Sequence, residues 1–548
     1  MSNIDVSNSS DQDKNKLDTL VETILSNTGT WTVDCNGVRR VSPRGKLEIA
    51  CYHQILPIGR LHDITTGAVK IKLAFRRTGQ PWNIITVEKG VLASARNIIA
   101  LADRGIAVTS NSAAYLIEYL NELQELHYYT IDCVACVSHL GHIPHIGFAP
   151  YSNALSVNVD ESYHTIYQAI QECGNLKEWI RTASECRAMS KEARIMLAGS
   201  FASPLISIIG ALPFFVHVWG VDSGTGKTVS LMLAASVWGN PELGKYIQTF
   251  NGTRVGHERL ASFLYHLPLC IDELQLAASG NRAPNIDVYQ LAQGVGKTRG
   301  RSNGGIEITP TWSCTILSTG ELPIISTEAG SGAVNRVLEI ETKPEHYIIK
   351  DGHRIADILK TNYGFAGKIF ANTLLSSETI ITDVRDQYKK NYDNLLQVNA
   401  TDKQAMAAAI LLTADQLATK WIFHDETTLT TEDLQTYLVS KTAVSAGKRA
   451  YDWLCGWIAS NWNHFHRGSL TPSGITYGAI DADIAYIIRQ IFNQVLQEAG
   501  FSPSATLSYL RANNLLKTRE GKGFTKSKRI NGIPTDCVWM VYRRTELV

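Results

Sequence analysis

Apolar and polar side chains alternate with a period of two near the start of the chain. The run Val69–Phe75 has lysines between its apolar residues, and Trp82–Val87 returns in an extended pattern after a basic Arg-Arg-Thr-Gly turn. Such alternation predicts a half-buried β-hairpin with a basic tip. Helical spacing follows over Val91–Ala102 and Ala113–Leu126, so the first unit is predicted to be α+β.

Farther along, short apolar runs lack any alternation. Three are hydrophobic almost throughout: Phe214–Trp219, Leu267–Ile271 and Trp312–Ser318. This is typical of strands buried on both faces, and it predicts a mostly parallel α/β sheet. The uncharged segment Ile195–Val221 is long enough to span a membrane. Prolines interrupt it, however, and it leads into a loop that must lie in water, so we expect a buried helix followed by a strand.

These patterns predict a multidomain α/β chain. The polar residues 1–16 are expected to be a disordered lead-in. The units that follow are predicted as an α+β N-terminal domain at 17–189, an α/β core at 190–342, a helical lid or connector at 343–423 that includes a helix over Asp402–Lys420, and a C-terminal domain at 424–548 that is helical before it ends in a β-hairpin.

Composition adds limits on the class of protein. Of 548 residues, 44% are hydrophobic and 19% are charged, which is typical of a globular chain. The formal net charge of +1 says nothing about partners. Ten cysteines without a regular framework, and no signal peptide at the N-terminus, indicate reduced thiols and a cytoplasmic location.

A glycine-rich loop follows the first buried strand and opens a predicted helix. Its residues are Ser223, Gly224, Thr225, Gly226, Lys227 and Thr228. Glycines let backbone N–H groups wrap phosphates, and the helix N-terminus adds partial positive charge. We expect Lys227 to reach the β- and γ-phosphates of ATP and the Thr228 hydroxyl to bind Mg²⁺. The usual phosphate-loop pattern has a glycine where this chain has Val221.

Polar residues stand at the ends of the next two central strands. Asp272 and Glu273 follow an apolar run, so Asp272 is expected to hold Mg²⁺ with the nucleotide and Glu273 to orient the attacking water. Ser318 or Thr319, at the end of the following strand, is a candidate sensor of the γ-phosphate, and simple strand termination is the alternative. Arg336 is a candidate arginine finger acting on a neighbouring subunit's nucleotide, with a surface salt bridge as its alternative.

Several segments together resemble a bacterial ATPase family of prophages, plasmids and integrative elements, first catalogued as a domain of unknown function. The matching segments are Val218–Gly220, Ser223–Thr228, Ala234–Pro241, Thr249–Thr253, Asp272–Gln275 and Gly294–Arg299. This family includes the replicative helicases of staphylococcal cassette chromosomes, which look like the minichromosome maintenance (MCM) class of hexameric AAA+ motors. The resemblance implies a P-loop AAA+ ATPase core and a DNA helicase in mobile-element replication. By that analogy the roles assigned above carry over to Lys227, Thr228, Asp272, Glu273 and Arg336.

A basic stretch between the acidic strand end and the third strand is a candidate for DNA contacts. It contains Lys297, Arg299 and Arg301, followed by an Asn-Gly-Gly turn signal. Helicases of the similar class place a hairpin from this region in the pore of the ring. A solvated loop is the alternative.

The C-terminal end is also basic. From Phe501 onward it carries nine basic and three acidic residues. A helix over Ser504–Asn513, a basic turn through Arg529 and a return strand predict a winged helix. We expect Lys526, Lys528 and Arg529 to contact DNA phosphates in a salt-sensitive manner, with a protein-docking winged helix as the alternative.

A possible metal site lies in the N-terminal unit. Cys133, Cys136, His139, His142 and His145 recur every three residues. Cysteines and histidines can bind zinc in tetrahedral geometry, but zinc sites usually separate their ligand pairs by a longer loop. An ordinary strand–turn segment is therefore favoured.

The leading hypothesis is a homohexameric DNA helicase or translocase that uses ATP and Mg²⁺, acts on single-stranded or forked DNA and serves a mobile element or phage. A rival from another class is a non-helicase AAA+ switch that loads or remodels a protein partner on DNA. A third is an origin binder with vestigial ATPase activity. DNA-stimulated ATP hydrolysis with strand displacement separates the first two hypotheses, and footprinting without ATP would favour the third.

Overall fold

The computed structural model describes residues 4–5, 11–274, 288–300, 305–325, 331–343, 346–397, 400–439, 446–468, 470, 472, 474–517 and 523–542. Buried hydrophobic side chains in these ranges form large clusters that extend from Val21 to Ile131, from Leu140 to Leu434 and from Ala450 to Met540. Each cluster packs against a different β-sheet. The chain is therefore a multidomain α/β protein, as predicted.

Strands dominate the N-terminal part. Its elements are β1 (Ile4–Asp5), α1 (Asp11–Leu25), β2 (Thr32–Asp34), β3 (Gly37–Val41), β4 (Leu47–Cys51), β5 (Gln54–Asp63), β6 (Val69–Arg76), β7 (Asn83–Glu88), α2 (Ala95–Ile98), α3 (Ala113–Leu126), β8 (Cys133–Val137), β9 (Gly141–Ile143), β10 (Gly147–Ala149) and β11 (Ser156–Val157). The main sheet has the order β1-β7-β6-β5-β8-β11. The predicted hairpin is confirmed as the antiparallel pair β6–β7, in which Leu73 lies opposite Ile85.

The first residues differ from the predicted disordered lead-in at 1–16. Ile4–Asp5 pairs with β7 as an edge strand, and α1 already begins at Asp11. The cause is helical spacing of apolar residues, because Val21 and Ile24 on α1 are buried in the first hydrophobic cluster.

A parallel sheet forms the centre of the chain. The elements here are α4 (His164–Ala169), α5 (Leu176–Met189), α6 (Lys191–Ile209), β12 (Phe214–Trp219), α7 (Lys227–Ser236), β13 (Gln248–Thr249), α8 (Arg254–Leu264), β14 (Leu269–Asp272), α9 (Val288–Leu291), β15 (Thr315–Gly320), α10 (Ser331–Val334) and β16 (Val337–Glu341). The sheet has the order β13-β14-β15-β12-β16, and all neighbouring strands are parallel, as predicted. The carboxyl ends of β12, β14 and β15 therefore meet at one edge.

Helix α6 contains the first part of the uncharged segment Ile195–Val221, which resembles a membrane span. It is apolar and long enough, but 83% of its most apolar window is buried inside the protein. A Cβ on Gly199 would lie 2.7 Å from Leu317 Cδ2, so the helix packs closely on β15. There the Thr315 hydroxyl donates to the Gly199 carbonyl over 2.8 Å, and the Thr315 N–H donates to Ser203 Oγ over 3.1 Å. The predicted buried helix is confirmed.

The next stretch is helical and packs on the central sheet. Its helices are α11 (Gly352–Thr361), α12 (Phe365–Leu374), α13 (Glu378–Leu396), α14 (Asp402–Ala418) and α15 (Thr431–Gln435). Helix α14 packs between α6 and α13 and continues as a π-helical turn, Thr419–Phe423. The fully buried Arg187 of α5 donates to Asp415 Oδ1 over 3.2 Å and to Thr419 Oγ1 over 2.6 Å. These bonds connect α5 to the end of α14.

In its described residues, the C-terminal part combines three α-helices with a five-stranded sheet. Its elements are α16 (Ala446–Ser460), β17 (Phe465–His466), β18 (Gly478–Asp481), β19 (Ile484–Ile488), α17 (Arg489–Glu498), α18 (Pro503–Ala512), β20 (Lys526–Ile530) and β21 (Ile533–Val541). One prediction is corrected, because Lys526, Lys528 and Arg529 lie on β20 rather than in a turn. The turn itself is Asn531-Gly532, where both residues have positive φ, as a tight hairpin turn requires.

Two buried histidines make the stability of this fold sensitive to acid. Burial lowers the pKa of His217 from 6.5 to about 4 and that of His266 to about 3. Both are neutral at pH 7, whereas the unfolded chain takes up their protons below pH 6.5. This stability is therefore present above pH 6.5 and is lost as the pH falls toward 4, by on the order of 1–2 kcal/mol for each histidine by pH 5.

We expect the melting temperature to fall between pH 7 and pH 5 and the fall to be shallower in His217→Gln. Thermal unfolding followed by circular dichroism measures both quantities. The exposed His62→Gln is the matched control. A melting temperature that stays constant down to pH 5 contradicts this prediction.

Candidate functional site

A cleft of about 440 Å³ lies at the edge where β12, β14 and β15 end. In parallel sheets, ligands bind at the carboxyl ends of the strands, because the loops that follow them converge there. The lining residues among those described are Ser223, Gly224, Thr225, Gly226, Lys227, Thr228, Val229, Asp272, Glu273, Thr319, Gly320, Glu321, Gly352, His353 and Ala356. The structure thus brings the predicted loop and the predicted carboxylates together.

The glycine-rich loop needs its glycines for two separate reasons. Gly224 and Gly226 have φ angles of 75° and 91°, in the left-handed region that favours glycine. A Cβ on Gly226 would also lie 2.7 Å from the backbone nitrogen of Ile349. Gly226 directly precedes α7, so the loop delivers the N-terminus of that helix to the cleft.

Lys227 points into the loop. Its Nζ donates to the carbonyl oxygens of Gly220 and Asp222 over 2.8 and 2.6 Å. Burial lowers the pKa of Lys227, and the negative charges of Glu321, Asp222 and Asp272 oppose that shift. A half-buried cation whose hydrogen-bond partners in the described part of the chain are carbonyl groups can exchange them for phosphate oxygens.

The two threonines of the loop differ in exposure. Thr225 Oγ1 is buried and has no hydrogen-bond partner among the described residues, whereas Thr228, on the first turn of α7, is exposed to the cleft. An orphaned buried hydroxyl costs free energy unless a ligand or water satisfies it. Together with the helix N-terminus, the loop fits an anion such as a phosphate chain.

The carboxylates at the end of β14 are held differently from each other. Asp272 is only 6% exposed, and its Oδ1 accepts the N–H of Glu273 over 2.9 Å and the hydroxyl of Thr319. Glu273 is half-buried and has φ of 62°, a strained value for a residue with a side chain. The Asp272 carboxylate and the Thr228 hydroxyl are hard oxygen donors, which fit Mg²⁺.

Of the two sensor candidates, the structure brings only Thr319 to the cleft. Successive residues of a strand point to opposite faces, so Thr319 faces Asp272 and Ser318 faces the other way. Ser318 is fully buried and lies 2.9 Å from Nδ1 of His217 on β12. Ser318 is not among the residues that line the cleft, and strand alternation favours Thr319, so a nucleotide contact by Ser318 stays a prediction.

Arg336 does not reach this cleft. It lies before the first residue of β16, where its carbonyl accepts the N–H of Phe215, at the opposite end of the sheet. The side chain is buried, with Nη2 donating to Gln293 Oε1 over 2.8 Å and the guanidinium 4.4 Å from the Tyr289 ring centroid. An arginine-finger role stays a prediction and requires Arg336 to leave these contacts.

The sequence analysis did not predict several residues that line the cleft. Gly352, His353 and Ala356 of α11 line it, as does Glu321 after β15. The Ile348 N–H, just before this helix, donates to the Thr225 carbonyl over 2.9 Å and so fixes α11 over the loop. No local pattern marks these residues, because they arrive through tertiary packing of α11 on α7.

The basic stretch around Lys297 forms a hairpin, as predicted. Residues 294–300 and 305–312, hereafter the basic hairpin, pair in antiparallel fashion through the bridges Val295–Thr311 and Gly300–Ile306. Lys297 is exposed, but Arg299 is an ion-pair partner of Glu258. Arg301, the third predicted DNA contact, lies outside the described residues.

The predicted basic residues of the C-terminal hairpin lie on both faces of β20. Lys526 Nζ and Lys528 Nζ each lie 4.0 Å from an aromatic ring centroid, those of Trp539 and Tyr486. Arg529 points to the other face and is exposed. All three remain predictions as DNA contacts.

The residues of the possible zinc site do not converge. Within the described part of the chain, no group of three or more histidine, cysteine, aspartate or glutamate side chains could hold a metal ion. Cys133 is exposed on β8, and Cys136 is buried there. His139 packs 4.2 Å from Tyr265, measured between ring centroids, and the His142 N–H donates to His266 Nδ1 over 2.9 Å.

Comparison with protein families agrees with this geometry. A family model described as "Domain of unknown function (DUF927)" matches residues 24–311, more than half of the chain, and the chain belongs to this family. A second model, described as "Cch helix turn helix domain", matches residues 445–544. The family predicted from the sequence is confirmed. No curated protein matches the chain significantly.

Comparison with solved structures supports the fold. The structure described as "SCCmec type IV Cch - active helicase" aligns with a TM-score of 0.67 and 19% identity over 94% of this chain and 98% of that chain. At this identity the likeness establishes the fold alone. "The A form apo structure of NrS-1 C terminal region-CTR" aligns over 69% of this chain and 90% of that chain, with 11% identity. Its TM-score of 0.24 is too low to indicate a shared fold.

Proposed function

We propose that this chain is a cytoplasmic ATP-hydrolysing DNA helicase or translocase that serves the replication of a mobile genetic element or phage. The observation that carries this proposal is the cleft in which the Lys227 loop, Asp272, Glu273 and Thr319 meet. The similar structure is described as an active helicase, and the C-terminal match is to a helix-turn-helix domain, which supports DNA as the partner.

Each side chain of the cleft has a proposed part in hydrolysis. The loop N–H groups and Lys227 hold the β- and γ-phosphates of ATP, and Thr228 and Asp272 hold Mg²⁺. Magnesium-bound ATP would supply the phosphoanhydride bond between its β- and γ-phosphates, whose hydrolysis drives the motor. Glu273 orients and polarises the attacking water, and Thr319 positions the Asp272 carboxylate through its hydrogen bond.

The arrangement of the core further favours an AAA+ motor. The strand that leads to the loop lies between the Thr319 strand and β16, and the Asp272 strand lies beyond the Thr319 strand. This order is typical of the AAA+ class. We propose a homohexameric ring in which Arg336 reaches the neighbouring nucleotide.

The proposed units around this motor follow the sequence prediction. They are an α+β N-terminal domain at 17–189, an AAA+ core at 190–342, a helical lid or connector at 343–423 and a winged-helix-like domain at 424–548. Helices α12 and α14 contribute to the hydrophobic cluster of the central sheet, so the helical unit is expected to move little against the core.

Strand displacement on a labelled forked DNA tests the function. We expect displacement with ATP and Mg²⁺, and none with ADP or with EDTA. Hydrolysis that DNA stimulates without displacement indicates a translocase. Hydrolysis that DNA does not change contradicts the proposal and favours an ATP switch that acts on a protein partner.

The C-terminal hairpin yields a prediction about salt. Lys528→Gln/Arg529→Gln is expected to weaken DNA binding and to reduce the slope of log affinity against log salt, by about 0.7–0.9 for each lost phosphate contact. Fluorescence anisotropy over a salt series measures both. The matched control is Lys389→Gln/Lys390→Gln on the exposed face of α13. Equal slopes for the two double variants contradict a DNA-contacting hairpin.

A further inference from the structure

Glu258 is a buried carboxylate, and its partners among the described residues all lie between Gln290 and Arg299. It lies on α8 with a side chain only 4% exposed. Its Oε2 accepts from Arg299 Nη2 over 2.7 Å, and its Oε1 accepts from Gln290 Nε2 over 2.9 Å. The backbone N–H of Lys297 lies 3.4 Å from Oε2. A buried charge is tolerated only with such partners, so these contacts fix the geometry of the segment.

The partners of Glu258 form the base of the basic hairpin. Gly296 approaches the carboxylate so closely that a Cβ there would lie 3.1 Å from Glu258 Oε2 and 2.6 Å from Pro310 on the returning strand. Above this base, the Glu307 N–H donates to the Arg299 carbonyl over 2.8 Å. Arg299 therefore anchors the hairpin. Of the two basic residues described in the hairpin, Lys297 is the exposed one.

The N-terminal end of α8, about one turn before Glu258, follows the strand that pairs with the Asp272 strand. Thr249 of β13 is in register with Asp272, and the Phe250 N–H donates to the Asp272 carbonyl over 3.3 Å. The chain then turns into α8, which Thr253 caps by accepting from the Gly256 N–H. A single short helix thus spans from the strand beside Asp272 to the base of the hairpin.

The same base also contacts the arginine-finger candidate. Gln290, which binds Glu258, is on α9, and Tyr289 of that helix stacks on Arg336. Gln293, just after α9, accepts from Arg336. A shift of the hairpin base would therefore disturb the contacts of Arg336 as well as the strand beside Asp272.

We propose that Glu258 is a positioning residue that couples the nucleotide cleft to the basic hairpin through its ion pair with Arg299. The inference rests on the proposed helicase function and deepens it. DNA held by the hairpin shifts the Arg299–Glu258 pair, α8 transmits the shift to the strand beside Asp272, and hydrolysis accelerates. Arg299 acts inside the protein, and DNA phosphates bind elsewhere on the hairpin.

The test is the ratio of the ATPase rate with single-stranded oligo-dT to the rate without it, measured on the full chain. Glu258→Gln and Arg299→Gln are each expected to lower this ratio about fivefold or more, which is the usual lower range for coupling between sites. The double variant is expected to be no worse than either single variant, because the two residues act as one pair. Glu48→Gln is the matched control, since it removes the carboxylate of another ion pair, with Arg40, at the same distance of 2.7 Å.

A second measurement separates anchoring from direct DNA contact. Arg299→Gln should leave the salt slope of DNA binding unchanged, whereas loss of a phosphate contact lowers it by about 0.7–0.9. This readout holds even if Glu258→Gln fails to fold. A lowered slope in Arg299→Gln, or a wild-type stimulation ratio in Glu258→Gln, overturns the coupling alone. A wild-type rate that DNA does not alter overturns the proposed helicase function, and the coupling with it.

Discussion

Lys227→Ala is expected to lower the rate of ATP hydrolysis by roughly 100-fold or more, the usual cost of removing one charge-stabilising donor from an active site. The ammonium is the one side-chain cation that lines the described part of the cleft. It is held inside the loop by the carbonyls of Gly220 and Asp222. We expect phosphate oxygens to replace these carbonyls when ATP binds. Phosphate release at saturating ATP measures the loss, and strand displacement should disappear with it.

The control for this variant is Lys245→Ala, which removes an exposed lysine of the same domain. Lys227→Arg keeps the charge but not the compact ammonium, so it should restore only a small part of the activity. If Lys227→Ala hydrolyses ATP at the wild-type rate, the proposed phosphate-binding role of the loop is contradicted.

Glu273→Gln is expected to separate binding from hydrolysis. The amide keeps the size of the side chain and the strained backbone position, but it cannot polarise water as a carboxylate does. We expect ATP affinity within about threefold of wild type and hydrolysis slower by roughly 100-fold or more. Nucleotide titration and phosphate release measure the two quantities on the same sample.

Glu321 provides the comparison for this second variant, because it is an exposed carboxylate that also lines the cleft. Glu321→Gln should retain most of the hydrolysis. If Glu321→Gln loses more of the hydrolysis rate than Glu273→Gln does, Glu321 rather than Glu273 is the residue that polarises the water.

The part of the fold that was predictable is the part with strong local patterns. Phe214–Trp219 and Ala113–Leu126 have the bounds expected from apolar spacing, because a buried strand and an amphipathic helix must show their burial in the sequence. The loop around Lys227 and the Asp272–Glu273 pair were predictable for a similar reason. Phosphate and Mg²⁺ binding demand particular residues at fixed positions after a strand.

The rest of the site depends on tertiary structure, which local patterns do not show. Choosing between Ser318 and Thr319 requires the face to which each points, and one residue of register reverses that choice. The sequence predicts that Arg299 contacts DNA, whereas its ion pair with the buried Glu258 depends on a helix some forty residues earlier. His353 joins the cleft only because α11 packs on α7.

The most direct test of the central claim is an equilibrium titration of ATP with Mg²⁺ into the purified full chain, followed by calorimetry. The account predicts saturable binding of one nucleotide per chain, weaker in EDTA and weaker again in Lys227→Ala. Absence of binding, or binding that neither EDTA nor Lys227→Ala changes, would contradict it.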